Sequence, residues 1–235
     1  YILANKFENT TAAKQVFIFL GMPGTGKTVL LRRIGRFLNT RRWHIGDFTN
    51  AAGPLSEKNE QASREGGFLE GSDEPFLASI ARSPDPIVLL DGFPRKLEQA
   101  EKLLCCALYF NWKLTLVHLA FPLGREVEYS LARQDVRTAS MLKKSAASVQ
   151  HSSDSRTPQQ LREEEEARSR KKIFRAIEFD MYVIATLRDA GLEYLELDAT
   201  RGTGRLYKQL VELLETGFSS GKQPGVSLRG NKDTQ

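Results

Sequence analysis

Short apolar runs alternate with stretches of helical periodicity along most of the chain. The first run, Val16–Leu20, is rich in branched and aromatic side chains and predicts a strand buried on both faces. This alternation predicts an α/β domain with a parallel sheet and right-handed crossovers. The other predicted strands cover 87–90, 114–119 and 193–197, and the predicted helices cover 28–38, 97–108, 126–133, 161–189 and 206–214. In the helix over 161–189, the predicted buried stripe is Ile173, Ile177, Met181, Ile184 and Leu187.

The segments between these elements suggest how the domain is divided. Residues 48–83 combine Gly, Ser and Pro with short apolar pieces, and residues 134–160 are rich in Ser, Lys, Gln and Thr. Such a composition is typical of a mobile segment or an insertion. We predict an N-terminal extension (1–14), one domain (15–216) and a flexible tail (217–235). Within the domain we predict core segments 15–47, 84–133 and 166–216, a small lobe at 48–83 and an insertion at 134–165.

Composition indicates a folded globular protein and favours anionic partners. The 235 residues (26.4 kDa) are 40% hydrophobic and 27% charged, with a net charge of +5 and a pI near 9.2. No apolar run approaches the roughly 20 residues that a membrane-spanning helix needs. The two cysteines, Cys105 and Cys106, are adjacent, which excludes a disulfide framework and favours a reducing compartment. We therefore expect an intracellular, cytoplasmic protein, or an organellar one if a targeting segment has been removed.

The strongest chemical signal is the octapeptide GMPGTGKT between Gly21 and Thr28. It fits the pattern G-x-x-x-x-G-K-[ST], and it follows a predicted buried strand and opens a predicted helix, as a phosphate-binding loop must. The glycines let backbone N–H groups turn inward around a phosphate, and the helix N-terminus adds partial positive charge. Lys27 would reach the β- and γ-phosphates of ATP, and the Thr28 hydroxyl would bind Mg²⁺. The predicted nucleotide-binding residues here are Gly21, Pro23, Gly24, Thr25, Gly26, Lys27 and Thr28.

Asp91 is the candidate metal carboxylate. It ends the second predicted strand, at the carboxyl edge where open α/β sheets bind their ligands. A carboxylate there would hold the hydration shell of Mg²⁺ beside the phosphate loop. A helix N-cap is the alternative role for an aspartate at such a point, and taken alone it is at least as common. The phosphate loop upstream favours the metal role.

The segment DGFPR, from Asp91 to Arg95, resembles the adenylate kinase family of nucleoside monophosphate kinases. The phosphate loop GMPGTGKT resembles the loop of the same family, and looser similarity extends over about residues 16–215. The resemblance implies a three-layer P-loop kinase fold in which 48–83 is a monophosphate-binding lobe and 134–165 a lid. It also implies ATP and AMP, or a related monophosphate, as substrates and Mg²⁺ as cofactor.

The resemblance assigns roles to individual side chains. Arg95 would bind the acceptor phosphate through two parallel hydrogen bonds, and Gln99 would recognise the acceptor base. Arg133 and Arg162 would be lid arginines that, together with Lys27, neutralise charge on the transferred phosphoryl group. Such a catalytic set needs no general base, because positioning and electrostatics do most of the work. A solvated helix face is the alternative for each lid arginine.

The chain departs from the family pattern in the lobe and in the lid. The family has an arginine shortly after its Gly-Asp pair, whereas positions 48–50 here are Phe, Thr and Asn. Arg64, the only arginine between Arg42 and Arg82, is the candidate substitute. Lys172 stands near the last lid arginine of the family, one residue out of step, and a lysine lacks the two-pronged guanidinium. These departures bear on the acceptor and on the rate, and they leave the phosphate loop intact.

Two other functions stay open beside phosphoryl transfer to a nucleoside monophosphate, which is the function we predict. A non-catalytic subunit would keep the kinase fold as a docking domain in a larger, RNA-containing assembly. Its phosphate-binding patch would consist of Arg32, Arg33, Arg36, Arg41 and Arg42, although an ordinary solvated basic face is the favoured explanation of that cluster. The other function is a kinase of a different small molecule, against which DGFPR argues only through the resemblance. We predict no membrane partner.

Overall fold

The computed structural model describes residues 13–46, 72–148 and 157–216. Its strands are β1 (Gln15–Leu20), β2 (Arg42–Trp43), β3 (Ile87–Asp91), β4 (Lys113–Ala120) and β5 (Glu193–Asp198). Its helices are α1 (Lys27–Phe37), α2 (Asp73–Arg82), α3 (Leu97–Phe110), α4 (Glu126–Ser148), α5 (Pro158–Arg175), α6 (Met181–Asp189) and α7 (Thr203–Thr216). A π turn (Ala176–Asp180) joins α5 to α6, and a 3₁₀ turn (Ala199–Arg201) follows β5.

The five strands form one parallel sheet in the order β2-β3-β1-β4-β5. The central strand β1 is covered on both faces, which explains its uninterrupted apolar sequence. Val16, Ile18 and Leu20 pack with side chains of α2, α3 and α6, whereas Phe17 and Phe19 pack on the other face with α1, α5 and α7. The predicted α/β architecture is confirmed, and it is the three-layer arrangement of a P-loop kinase.

Two elements, β2 and α2, are missing from the sequence prediction. β2 has only two residues, which is too short to show a hydrophobic period. α2 lies within the predicted lobe, where the Gly, Ser and Pro around it hide the helical spacing of Phe76, Leu77 and Ile80. Residues 48–71 of that lobe lie outside the described residues, as do residue 47, residues 1–12 and the predicted tail 217–235.

The predicted insertion contains more helix than its composition suggests. The sequence predicts a helix that stops at 133, but α4 extends to Ser148, and α5 starts at Pro158 beside it. A capping box begins α5, because the Thr157 hydroxyl accepts from the Gln160 N–H (3.2 Å) while the Gln160 Oε1 accepts from the Thr157 N–H (2.8 Å). A Ser- and Lys-rich composition is therefore compatible with helix here, and residues 149–156 lie outside the described residues.

The long helix predicted over 161–189 is interrupted by the π turn. Of the predicted buried stripe, Ile173, Ile184 and Leu187 are buried, but Ile177 and Met181 are exposed. A π turn inserts one extra residue and so shifts the side chains that follow it to another face of the helix. An uninterrupted 3.6-residue period therefore predicts burial for Ile177 and Met181, which are exposed in the structure.

The two adjacent cysteines differ in their exposure to solvent. Cys105 is exposed, Cys106 is buried, and both are free thiols. Burial raises the pKa of the Cys106 thiol to about 11, which makes it unreactive at neutral pH. In 13–46, 72–148 and 157–216, no helix has both the length and the apolar surface needed to cross a bilayer.

A polar cluster at the edge of the sheet joins β4 to β5. The Nδ1 atom of His118 lies 3.0 Å from the Tyr194 hydroxyl, and that hydroxyl donates to Glu196. The same His118 nitrogen lies 3.5 Å from Glu196 Oε2. The hydrogen bond from His118, followed by that from Tyr194, lowers the pKa of Glu196 to about 2.

Glu196→Gln is expected to reduce the free energy of unfolding at neutral pH and to have no effect near pH 2. A carboxyl group whose pKa falls on folding stabilises the folded state above its ordinary pKa of 4.5, and this stabilisation disappears as the pH falls from 4.5 to about 2. Because the Glu196 side chain is 48% exposed, the loss at pH 7 should stay below about 1 kcal/mol. Urea unfolding at pH values of about 7, 4 and 2.5 tests this, with exposed Glu215→Gln as control. An undiminished difference from wild type at the lowest pH would contradict it.

Candidate active site

The phosphate loop and the DGFPR segment lie side by side at the carboxyl edge of the sheet. β1 and β3 are neighbours with Phe19 opposite Asp91, and the Gly92 N–H donates to the Phe19 carbonyl oxygen at 3.2 Å. The segments that follow these two strands line one wall of a cleft of about 980 Å³. Helices α4 and α5 and the π turn contribute further lining side chains. The fold thus joins two motifs that lie about 65 residues apart in the sequence.

Glycines let the phosphate loop approach its neighbours closely. Gly21 has φ +140°, and a Cβ atom added there would lie 2.3 Å from the Leu119 carbonyl oxygen of β4. Gly26 has φ +88° and forms the N-cap of α1 without a side-chain capping bond. The first turn of α1 also has no acidic residue. The N–H groups at this helix terminus are therefore left for an anion in the cleft.

Lys27 lies folded into the loop. Its ammonium donates to the carbonyl oxygens of Gly21 and Met22 (3.0 Å to the latter) and lies 3.4 Å from Thr25 Oγ1. Burial lowers the pKa of Lys27 to about 8, although the charges of Asp180 and Asp91 act in the opposite direction. The ammonium therefore gives up solvation in this position. A bound phosphate would be a better partner for it than the carbonyl groups.

The Thr25 side chain is buried within the phosphate loop and hydrogen-bonds to its backbone. This side chain is fully buried, and its hydroxyl donates to the Met22 carbonyl oxygen at 2.8 Å. On the outside of the loop, the Ser130 hydroxyl of α4 donates to the Pro23 carbonyl oxygen. These bonds fix the backbone conformation of the loop. Pro23 has no backbone N–H to donate and the Thr25 N–H donates to the Met22 carbonyl oxygen, so these two residues would support nucleotide binding by shaping the loop.

The predicted metal ligands Thr28 and Asp91 are brought together. Thr28 Oγ1 donates to Asp91 Oδ2 at 3.1 Å, and both residues line the cleft. A hydroxyl and a carboxylate suit Mg²⁺, which usually takes one or two protein oxygens and completes its shell with substrate phosphates and water. In the described ranges no group of three or more His, Cys, Asp and Glu side chains could hold a metal by itself. The residues present therefore fit a magnesium ion that arrives with a nucleotide.

Arg95 and Gln99 both line the cleft, but only Arg95 presents a group suited to an anion. The Arg95 Nε donates to the Gly92 carbonyl oxygen at 2.7 Å. Gln99 is buried, and its amide is occupied at both ends. Its Oε1 accepts from the Arg95 N–H and its Nε2 donates to Asp73 Oδ1, each at 2.8 Å. Gln99 thus ties the DGFPR segment to α2, and its recognition of an acceptor base stays a prediction.

Of the two predicted lid arginines, Arg133 is placed at the cleft. Its guanidinium donates to the Gly24 carbonyl oxygen at 3.2 Å and to the Ala199 carbonyl oxygen at 2.9 Å. It also lies 5.6 Å from the centre of the Phe121 ring. Arg133 therefore lies across the phosphate loop, where it would meet the charge of a bound triphosphate.

The structure does not bring Arg162 to the cleft. Arg162 is exposed on α5 and forms an ion pair with Glu166 one turn further on, at 2.9 Å. The cleft is lined instead by Lys172 and Arg175 near the end of the same helix. Ten residues of α-helix separate Arg162 from Lys172, which is a distance of about 15 Å. The motif Arg162–Glu165 thus matches the resemblance in sequence, and its arginine lies on an exposed face of α5 in this structure.

Sequence reasoning assigned no role to Asp180, and it placed Arg42 in a basic patch rather than in the cleft. The π turn brings Asp180 to the cleft, within electrostatic range of Lys27 and Arg95. Burial raises the pKa of Asp180 against the opposing charges of these two cations. Arg42 donates to Asp91 Oδ2 at 2.9 Å from the short strand β2. Both positions depend on elements that hydrophobic periodicity does not reveal.

The cleft is strongly cationic. Two of its lining residues are carboxylates, Asp91 and Asp180. The cationic lining residues that the structure describes are Lys27, Arg32, Arg42, Arg95, Arg133, Lys172 and Arg175. Cationic clefts concentrate anions, and several guanidinium groups together suit a ligand that carries more than one phosphate.

Part of the chain is similar in sequence to curated adenylate kinases. The adenylate kinase of Thermus thermophilus is 36% identical over 93 residues, 38% of this chain and 49% of that protein. The adenylate kinase of Helicobacter pylori is 32% identical over 98 residues (38% and 51%), and that of Coxiella burnetii is 35% identical over 100 residues (39% and 42%). No family model matches the chain. The chain spans about half the length of the curated relatives it matches, and the resemblance to adenylate kinases is confirmed over that part.

Proposed function

We propose that the protein is a nucleoside monophosphate kinase that transfers the γ-phosphoryl group of ATP to AMP or a related monophosphate. The observation that carries this proposal is the single cleft in which the phosphate loop, Asp91 and Arg95 meet at the ends of β1 and β3. The similarity to adenylate kinases supports the same class of reaction. A cleft with places for a triphosphate and a second phosphate suits transfer between two nucleotides.

ATP would bind with its β- and γ-phosphates in the loop between Gly21 and Thr28. Lys27 would exchange its carbonyl partners in the loop for phosphate oxygens and so regain full charge compensation. Thr28 and Asp91 would hold Mg²⁺, which supplies positive charge to the phosphate oxygens during transfer. Arg133, already bonded to the loop at Gly24, would bring a guanidinium to the same phosphates.

The acceptor would lie beside Arg95. The Arg95 backbone is held by Gln99 and its Nε by the Gly92 carbonyl oxygen, so its guanidinium is placed before the acceptor arrives. Lys172 and Arg175, which also line the cleft, would add positive charge. Catalysis would come from aligning the two phosphates in a cationic, partly closed cleft.

Incubation with MgATP and, separately, AMP, CMP, UMP and GMP is expected to yield a nucleoside diphosphate with one preferred acceptor. Arg95→Lys should raise the KM for that acceptor about tenfold and leave the KM for ATP within about twofold, because a lysine loses the bidentate grip on phosphate. Arg188→Lys, an exposed change on α6, is the matched control. Chromatographic separation of the nucleotides measures each rate. A lack of diphosphate with every acceptor would overturn the proposal and favour the nucleotide-binding docking subunit.

A further inference from the structure

The carboxylate proposed to hold the metal already has a cationic partner. Arg42 Nη1 lies 2.9 Å from Asp91 Oδ2, and this oxygen is the one that accepts from the Thr28 hydroxyl at 3.1 Å. The Asp91 side chain is 6% exposed and that of Arg42 is 25% exposed. This is a charge-assisted hydrogen bond in a largely desolvated place, where it is worth more than a surface ion pair.

The sheet explains why Arg42 reaches Asp91. β2 runs parallel to β3 with Arg42 opposite Leu89, two residues before Asp91. Residues two apart in a strand point to the same face, so the long side chain of Arg42 can follow the β3 edge to the Asp91 carboxylate. The contact is therefore built into the pairing of two strands, and it does not depend on a loop conformation. Arg42 and Asp91 both line the cleft.

A guanidinium and a divalent cation compete for the lone pairs of one carboxylate oxygen. An ion held by Thr28 and Asp91, directly or through its water, would compete for the lone pairs of Asp91 Oδ2 that now accept hydrogen bonds, and its charge would repel the Arg42 guanidinium. Without the ion, Arg42 is a cation that contacts the buried Asp91 carboxylate directly, beside the hydrogen bond from Thr28, and loss of such a contact to a buried charge is unfavourable.

We propose that Arg42 and the divalent cation are alternative partners of Asp91. Arg42 neutralises the carboxylate in the metal-free protein, and it leaves Asp91 Oδ2 when the metal enters with a nucleotide. The inference rests on the proposed function only in taking a nucleoside polyphosphate as the ligand that accompanies the metal. Arg42 therefore weakens the binding of the metal to the complex of protein and nucleotide. For the same reason, Arg42 reduces the preference of the protein for metal-bound over metal-free nucleotide.

Titration of the ADP complex of the full chain with Mn²⁺, followed by the electron paramagnetic resonance signal of free Mn²⁺, tests the proposal without any turnover. Arg42→Gln is expected to bind Mn²⁺ about tenfold more tightly than wild type, which corresponds to one charge-assisted hydrogen bond. Arg41→Gln is the matched control, because this neighbour loses the same charge but stacks on Trp43 (3.7 Å) and pairs with Asp85 rather than Asp91. Its Mn²⁺ affinity should stay within about twofold of wild type.

Thermal melting gives a second readout. Without metal, Arg42→Gln should have a lower melting temperature than wild type, because Asp91 loses its cationic partner. Addition of Mn²⁺ and ADP should raise the melting temperature of Arg42→Gln by more than it raises that of wild type. If Arg42→Gln does not fold, Arg42→Lys decides, with an expected Mn²⁺ affinity about threefold above wild type because the lysine cannot match the guanidinium geometry.

Equal Mn²⁺ affinity in wild type and in the Arg42 variant, or an equal gain in Arg41→Gln, would overturn the inference. If the chain transfers a phosphoryl group but the Mn²⁺ affinities fail in either of these ways, the inference is wrong and the proposed function still holds. The expected Mn²⁺ pattern without transfer to any acceptor would refute the kinase and support the inference. A wild-type chain that binds no ADP would overturn both.

Discussion

Lys27→Ala is expected to lower kcat/KM for phosphoryl transfer about 10²–10³-fold, the usual effect of removing one preorganised charge at a transferred group. The protein should stay folded. Lys27 now gives up solvation for carbonyl partners, and the lowering of its pKa to about 8 means that the folded state disfavours its charge. Removing the ammonium therefore relieves an unfavourable burial in the empty protein, and the melting temperature should stay the same or rise.

Rates with the preferred acceptor and melting curves of Lys27→Ala, recorded beside wild type, measure the two effects. Lys208→Ala is the matched control, since Lys208 is exposed on α7 and outside the cleft. It should keep the wild-type rate. Full turnover by Lys27→Ala would refute the assignment of the phosphate loop. A drop in melting temperature of many degrees would show that the bonds from Lys27 to Gly21 and Met22 stabilise the loop more than burial of the charge destabilises it.

Phe76→Ala is expected to reduce the free energy of unfolding by about 3–5 kcal/mol. Phe76 lies on α2 and is fully buried behind the cleft. Its ring meets the ring of Phe93 edge-on at 5.0 Å and that of Trp43 at 6.4 Å between centroids. Truncation would remove these contacts and leave a cavity between α2, β2 and the DGFPR segment, which the surrounding main chain can fill only in part.

Urea denaturation of Phe76→Ala measures this loss. Leu108→Ala serves as control, because Leu108 on α3 is 86% exposed and its truncation should change the free energy of unfolding by less than about 0.5 kcal/mol. A cost below about 1 kcal/mol for Phe76→Ala would contradict the packing described for this cluster. The KM for the acceptor should rise as well, because Phe93 stands two residues before Arg95 and shares the same core contact.

Much of the fold follows from local patterns in the sequence. The apolar run of β1 requires cover on both faces, and the alternation of strands with helices then leaves few arrangements other than a parallel sheet. The phosphate loop is recognisable because its chemistry needs a fixed spacing of glycines, Lys27 and Thr28 after a strand. The apolar run over 87–90 predicts a strand, and Asp91, the first residue of DGFPR, follows directly at its end.

What the sequence misses depends on contacts between distant segments. β2 is too short to have a period, yet its pairing with β3 brings Arg42 to Asp91. The π turn places Asp180 in the cleft and exposes Ile177, which an uninterrupted helix would bury. Arg162 and Arg175 both belong to α5, but only Arg175 lies where the helix meets the cleft.

The sequence by itself therefore determined the parallel α/β core, and it predicts the phosphate loop and a carboxylate at a strand end, because these depend on local order and residue type. The contact between Thr28 and Asp91 depends on the pairing of β1 with β3. Only the tertiary structure decided which cations surround that loop, and that Gln99 supports Arg95 through a buried amide. The physical reason is that electrostatic partners act through space. Strand register and helix phase place a guanidinium within 3 Å of a carboxylate, and neither quantity is written in the spacing of residues along the chain.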